Sequence, residues 1–278
     1  MQEIKVYDNQ FSHCTALGSG DLKIYPKHFR WARNNREHKF AIVTESYFNR
    51  LDEVKEKKKI GLIIEPPSIS QEPYNKVLDE NFRKQFDFIF THQKSLLDIP
   101  NSNFVRYPFM GCWINEIDRG LHKKSKWCSI VVSDKTQTEG HRLRHEAVKT
   151  LSSYNIDVFG RGYKPIENKI EALRDYMFHI VIENERSDFW YTEKLIDCFV
   201  TGTIPIYWGC PSIGKVFSKG GMMRFTDLLT LENQLQNADS QRYHLSEDFI
   251  KSNFHAAKAM SLPDDYVFNK LKMEGYIR

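Results

Sequence analysis

The residues best equipped for chemistry lie between 178 and 209, in the run FHIVIENERSDFWYTEKLIDCFVTGTIPIYWG. The apolar stretch 178–182 reads as a strand. It delivers Glu183 and Asn184 to the carboxyl edge of a sheet, where ligands of open α/β proteins bind. A polar loop with an aromatic end follows, and Thr192 then starts and can cap a helix. A helix N-terminus carries partial positive charge and receives anions. Lys194 adds a full charge suited to a diphosphate. Glu193 would repel phosphate, but a carboxylate accepts well from the two vicinal hydroxyls of a ribose. A glutamate next to a lysine at this junction therefore fits a nucleoside diphosphate better than a bare phosphate. The same spacing also fits an ordinary capped helix with a surface Glu–Lys pair.

Such a site needs a parallel sheet beneath it. FAIVTES (40–46), IGLIIEPP (60–67) and FDFIFTH (86–92) read as strands buried on both faces, with charged stretches such as 53–59 between them. The second half repeats the rhythm. A strand at 127–134 precedes a helix at 138–154 and a strand at 156–163. A helical stretch near 166–176 then leads to the strand at 178–184, a helix at 192–202 stopped by Gly202, and a strand at 203–209. Alternating strands and helices predict right-handed crossovers and helices on both faces of a parallel sheet. Two Rossmann-like halves follow, with a boundary in the polar stretch near 115–127. The predicted domains are 1–122 and 123–278, and the end, 223–278, is predicted to be mostly helical.

Composition excludes several classes. Forty basic and 36 acidic residues give a net charge of +4, too small and too dispersed for a nucleic-acid protein. With 41% apolar and 27% charged residues, the chain can bury cores. The five cysteines, Cys14, Cys112, Cys128, Cys198 and Cys210, form no C-x-x-C, and the ten histidines form no zinc pair, so buried thiols are expected and no metal site. No apolar run spans a bilayer, and the first residues lack a signal-peptide core. A soluble cytoplasmic protein is expected, with at most peripheral membrane association. Residues 209–215, GCPSIGK, imitate a phosphate-binding loop, but Val216 stands where Ser or Thr must hold Mg²⁺, which disfavours an NTPase. LGSGDLK (17–23) lacks the glycine spacing of a dehydrogenase.

The string E-N-x(6)-Y-T-E-K (183–194), followed by G-T-I-P-I-Y-W-G (202–209) and CPSIGKVF (210–217), closely resembles glycosyltransferase family 10, the α-1,3-fucosyltransferases. The likeness extends more weakly to CSIVVSD (128–134), the helix around Arg144, and VFGRG (158–162). The short chain is similar to the soluble bacterial or viral type. The resemblance implies a GT-B-like fold, two Rossmann-like domains with parallel sheets facing a central cleft. It implies an inverting transfer from a nucleotide-sugar, GDP-fucose first, to a glycan hydroxyl. In it Glu193 holds the ribose and Lys194 contacts the diphosphate. Asn184 lies near the diphosphate or sugar, and Arg144 neutralises phosphate charge, which grows on the leaving group. Trp190 stands where the family has a tyrosine near the donor sugar, and Tyr191 replaces a small aliphatic residue. Both departures keep another donor open, such as UDP-xylose.

An inverting transfer needs a general base. The family carries a glutamate in an E-S-P-like motif at an N-terminal strand end, and the match here is Glu65 in I-I-E-P-P. Pro66 and Pro67 would fix the backbone after it. Glu45 ends another strand and is the rival; His92 ends a third and reads as structural. Asp134 and Asp188 are isolated, so no metal cofactor is required by this reading, although a divalent cation is left open as a stimulant. A non-catalytic nucleotide-sugar or glycan-binding module remains the alternative from another class.

Overall fold

The computed structural model describes all residues of the chain except Gly18, Asp21, Asn35, Phe109, Met110, Ser261 and Arg278. It divides into two units, Met1–Gly111 with Ser261–Arg278, and Cys112–Met260. In the first, strands β1 (Gln2–Tyr7), β2 (Phe29–Ala32), β3 (Phe40–Thr44), β4 (Lys58–Leu62), β5 (Phe88–Thr91) and β6 (Phe104–Arg106) form a six-stranded sheet in the order β2-β1-β3-β4-β5-β6. Every neighbouring pair is parallel. The strand β3 is buried along its whole length, as a strand covered on both faces must be. Ile42, Ile60 and Phe90 pack on one face, and Val43, Ile63 and Ile89 pack on the other. The short helices α1 (Glu72–Leu78), α2 (Glu80–Arg83) and α3 (Lys94–Leu97) lie between β4 and β6 in sequence.

The second unit contains β7 (Lys126–Val131), α4 (Glu139–Thr150), β8 (Ile156–Phe159), β9 (Tyr176–Ile182), α5 (Glu193–Phe199), β10 (Ile204–Trp208) and β11 (Met223–Arg224). Its sheet is also parallel, in the order β11-β10-β9-β7-β8. The chain goes outward from β7 to β8, then returns past β7 to lay down β9, β10 and β11. The reversal between β7 and β9 is the switch point at which α/β sheets open a ligand crevice. The helices α6 (Leu228–Gln236), α7 (Ser240–Leu245) and α8 (Glu247–Ala259) complete the unit.

Two expectations are corrected. The final helix, α9 (Pro263–Met273), packs in the first unit, so 123–278 is not one body and the break falls at Gly111/Cys112. Val267, Phe268 and Leu271 join the β1–β5 core. Asp264 Oδ1 accepts the Leu17 N–H at 2.9 Å and the Trp31 indole N–H at 2.6 Å. Second, 166–176 holds only a 3-10 turn, Lys169–Ala172, because β9 already begins at Tyr176. In β1 and β2, Ile4, Val6 and Phe29 are core. The stop at Gly202 is as expected: its φ is +69°. All five cysteines are buried. Among the described residues no helix is long and apolar enough to cross a membrane.

Candidate functional site

The site grows from the end of β9. Glu183 continues the pairing with β10, its N–H donating to Trp208 O at 3.0 Å. Its fully buried carboxylate then turns back to the start of α5. Oε1 accepts the Thr192 N–H and Oε2 the Thr192 hydroxyl, each at 2.8 Å. This clasp closes 184–191 into a tight loop in which Phe189 adopts φ +67°, a conformation costly for a non-glycine residue. Glu183 thus fastens Thr192, the N-cap residue of α5, ahead of the helix's own first N–H groups. Burial pushes the Glu183 carboxyl up, and Lys194 opposes it.

Two glycines allow this junction. A Cβ on Gly140 would lie 1.7 Å from Glu183 O, and one on Gly209 would lie 2.6 Å from Glu183 Cγ. The first turn of α4 therefore lies directly on the end of β9, and the Gly140 N–H donates to Asn184 O at 3.1 Å. Further along α4, Arg144 is 5% exposed. Its Nε donates to Ile182 O at 2.9 Å and its Nη2 to Asn184 Oδ1 at 3.0 Å. Since Asn184 Oδ1 is taken by Arg144, its amide N–H₂ is the end left to meet a ligand.

Glu193 is buried and ionised. Burial opposes its charge, but Lys194 and then Lys169 outweigh that and hold the carboxyl at about 2. Lys194 Nζ lies 3.0 Å from Glu193 Oε1, 3.2 Å from Thr192 Oγ1 and 3.9 Å from Glu183 Oε2. One turn on, Asp197 shares the face of Glu193. Its Oδ2 is 2.6 Å from Lys169 Nζ, and its Oδ1 accepts the Trp113 N–H at 2.8 Å. On the other side, His141 forms a capping box with Thr138. Burial, then the charges of Arg144, Lys135, Lys194 and His145, hold its imidazole at about 4. It is neutral at pH 7, and the charges of Arg144, Lys135 and Lys194 favour an anion.

Arg144, Asn184, Glu193 and Lys194 therefore meet around Glu183. Trp190 and Tyr191 are placed otherwise: they are 1% and 3% exposed, and the Tyr191 ring packs edge-on against Phe217 at 6.1 Å. As placed, neither offers a face to a sugar, because the Glu183–Thr192 clasp folds their loop inward. Sequence reasoning placed Glu183 at the ligand edge without foreseeing its clasp on Thr192, and it missed Lys169, Asp197 and His141. Asp197, four residues after Glu193, was findable from helical spacing.

In the first unit, Glu45 and Glu65 follow the neighbouring strands β3 and β4. Glu45 is buried, and its Oε1 accepts the Glu65 N–H at 2.9 Å. Burial pushes it up to about 8, against backbone N–H donors that pull it down. The Glu65 carbonyl accepts the Tyr74 hydroxyl at 2.7 Å, so its backbone is pinned on both sides. Its side chain is half-buried, with Oε1 3.2 Å from Gln10 Nε2. His92 is buried, lies 3.2 Å from the Tyr74 hydroxyl, and is pushed down to about 3 by burial. It is a neutral wall residue, as its sequence setting suggested.

Residues 121–219 match the family described as glycosyltransferase family 10 (fucosyltransferase), C-terminal part. Over these residues the chain is similar to a family 10 glycosyltransferase. Among curated proteins, the alpha-(1,3)-fucosyltransferase FucT of Helicobacter pylori is 36% identical over 74 residues, 27% of this chain. The match spans only 15% of that relative's length. A solved α1,3-fucosyltransferase described with GDP-fucose aligns over 100% of this chain and 91% of its own, with a TM-score of 0.58 and 17% identity. TarM aligns over 85% of this chain and 54% of its own, with a TM-score of 0.59 and 10% identity. At such identities the structural likeness speaks for the fold, two parallel-sheet Rossmann-like units of the GT-B kind. The matched residues include Arg144, Asn184, Trp190, Tyr191, Glu193 and Lys194, whereas Glu45 and Glu65 lie outside them. Among the described residues, no cluster of three or more His, Cys, Asp or Glu side chains could hold a metal ion.

Proposed function

We propose that the protein transfers a sugar from a nucleotide-sugar, GDP-fucose in the first instance, to a glycan hydroxyl with inversion. The observation that carries this reading is the ionised, buried Glu193 beside Lys194 at the switch point of the second sheet, next to Arg144. Such a pair sorts the two halves of a nucleoside diphosphate: the carboxylate accepts from ribose hydroxyls and the ammonium meets phosphate oxygens. Asn184 contributes an amide donor. In the transfer, an acceptor oxygen attacks the anomeric carbon and the bond to the diphosphate oxygen breaks. The acceptor's proton passes to the Glu65 carboxylate. Charge growing on the leaving diphosphate is met by Lys194 and by the field of Arg144. No step in this sequence needs a metal, and a divalent ion would act only by screening the diphosphate.

The test is a titration of the chain with GDP, GDP-fucose, UDP and UDP-xylose, followed by release of free nucleoside diphosphate with glycan acceptors. GDP-fucose binding and acceptor-dependent release of GDP are expected. Binding of UDP-xylose instead would move the donor to a UDP-pentose. Binding without turnover on any acceptor would leave a sugar-nucleotide-binding module.

A further inference from the structure

The assignment of Glu193 to a ribose leaves a difficulty in the charges around it. In the structure its nearest cation is Lys194, 3.0 Å away. A bound diphosphate would draw that ammonium toward its own oxygens and place new negative charge beside Glu193. A buried carboxylate that loses its counter-ion tends to take up a proton or move, because uncompensated charge in the interior is costly. Glu193 then needs a second cation that cannot follow the ligand.

Lys169 meets that need. Its side chain is 15% exposed, and its Nζ lies 4.0 Å from Glu193 Oε1. Unlike Lys194 it is tethered away from the ligand edge, with Asp197 Oδ2 at 2.6 Å and the Trp113 ring centre at 5.3 Å. Asp197 is fully buried and is itself fixed by the Trp113 N–H. Burial alone would lower the Lys169 pKa, but Asp197 and then Glu193 outweigh it and leave the value raised, so the ammonium stays charged. Asp197 and Glu193 stand four residues apart on one face of α5, and Lys169 reaches both from the turn before β9.

We propose that Lys169, anchored by Asp197, is a positioning residue that keeps Glu193 charged and in place when the diphosphate takes Lys194, and so sets the preference for a ribose over a deoxygenated sugar. This rests on the donor reading above. Lys169 touches no substrate; its effect passes through Glu193. A lysine serving only to neutralise Asp197 would leave ribose selection untouched.

The experiment measures binding of GDP and UDP, each against its 2′,3′-dideoxy counterpart, by titration calorimetry. The wild type should prefer the ribose by about 10- to 100-fold, the scale of a hydrogen bond to a charged group. Lys169→Met should lose most of that preference. In a Glu193→Gln background, Lys169→Met should change it no further, since the two act as one. Lys169→Met leaves Asp197 buried without its cation, so folding is safeguarded by the double change Lys169→Met/Asp197→Asn, which should show the same loss. If the variants discriminate as the wild type does and only melt earlier, Lys169 is structural and the inference falls alone. If the wild type binds neither nucleotide, the donor reading falls and takes the inference with it.

Discussion

Glu45 and Glu193 are equally buried, each 6% exposed, and each opens a helical turn just beyond the sheet. Yet burial pushes the first up to about 8, while the second is held at about 2. Burial cannot explain the difference, because it acts on both in the same direction. The cause is the company each keeps. Glu193 has Lys194 and Lys169 at 3.0 and 4.0 Å, whereas Glu45 faces backbone N–H groups and a second carboxyl, Glu65. One edge keeps a buried carboxylate charged. The other keeps its buried carboxyl, Glu45, protonated at pH 7 beside a half-buried neighbour, Glu65. Two similar sheets thus carry opposite electrostatics beyond their strand ends, and the function proposed above divides donor holding from proton transfer along the same line.

The largest test of that division is Glu65→Gln. It should lower transfer by about 10²- to 10⁴-fold, the usual share of a general base, while nucleotide affinity stays at the wild-type value. If affinity falls with rate, the two edges do not divide the work. The complementary change, Lys194→Met, removes one partner of a hydrogen-bonded charge cluster. It should weaken GDP binding by about 2–5 kcal/mol, as such truncations do. Titration calorimetry on both variants reads the contrast directly.

Stability should distinguish the edges by sign. The folded-state value of Glu45 lies above its unfolded value of 4.5. Its contribution is therefore fully present below pH 4.5 and is lost as pH rises through about 8. Glu45→Gln keeps an oxygen for the Glu65 N–H and removes that loss. It should melt higher than the wild type at pH 7 and equally at pH 4. Glu193 is the reverse case, with stability present above 4.5 and lost as pH falls through about 2. Glu193→Gln should therefore be less stable at pH 7, by about 1–3 kcal/mol for a lost charged hydrogen bond. The deficit should shrink toward pH 3. Calorimetric melts of both variants across pH 3–8 check this, and shifts of the same sign would refute the contrast.

Much of this was legible in the residues. FHIVI announced β9, Gly202 the end of α5, and the string 183–194 most of the donor-side charges. What escaped depends on contacts without local trace. Asp264 and Trp31 meet across the length of the first unit, and nothing near either residue signals it. Lys169 sits in a stretch that reads as helix, and its reach to α5 depends on a 3-10 turn in front of β9. Glu183 looked like a ligand-facing residue because it ends a strand; the fold spends its carboxylate on Thr192 instead. Trp190 and Tyr191 were read as neighbours of the donor sugar because they differ from the family pattern, but an aromatic residue can differ and still be core. The charges were readable, then, and their pairing was not, because pairing is a property of the packed chain.

The smallest expected effect concerns Lys215. It belongs to the GCPSIGK stretch that imitates a phosphate loop and follows β10 as Lys194 follows β9. The two lysines differ in setting. Lys215 is exposed on a 3-10 turn and is followed by Val216, whereas Lys194 is half-buried among Thr192, Glu193 and Glu183. A phosphate-binding lysine gains from a dry, prearranged surrounding; an exposed one is screened by water and salt. Lys215→Ala should therefore leave GDP affinity within about twofold, and melting unchanged, as is usual for surface substitutions. A loss comparable to that of Lys194→Met would relocate the phosphate site to the end of β10 and undo the role given to the end of β9.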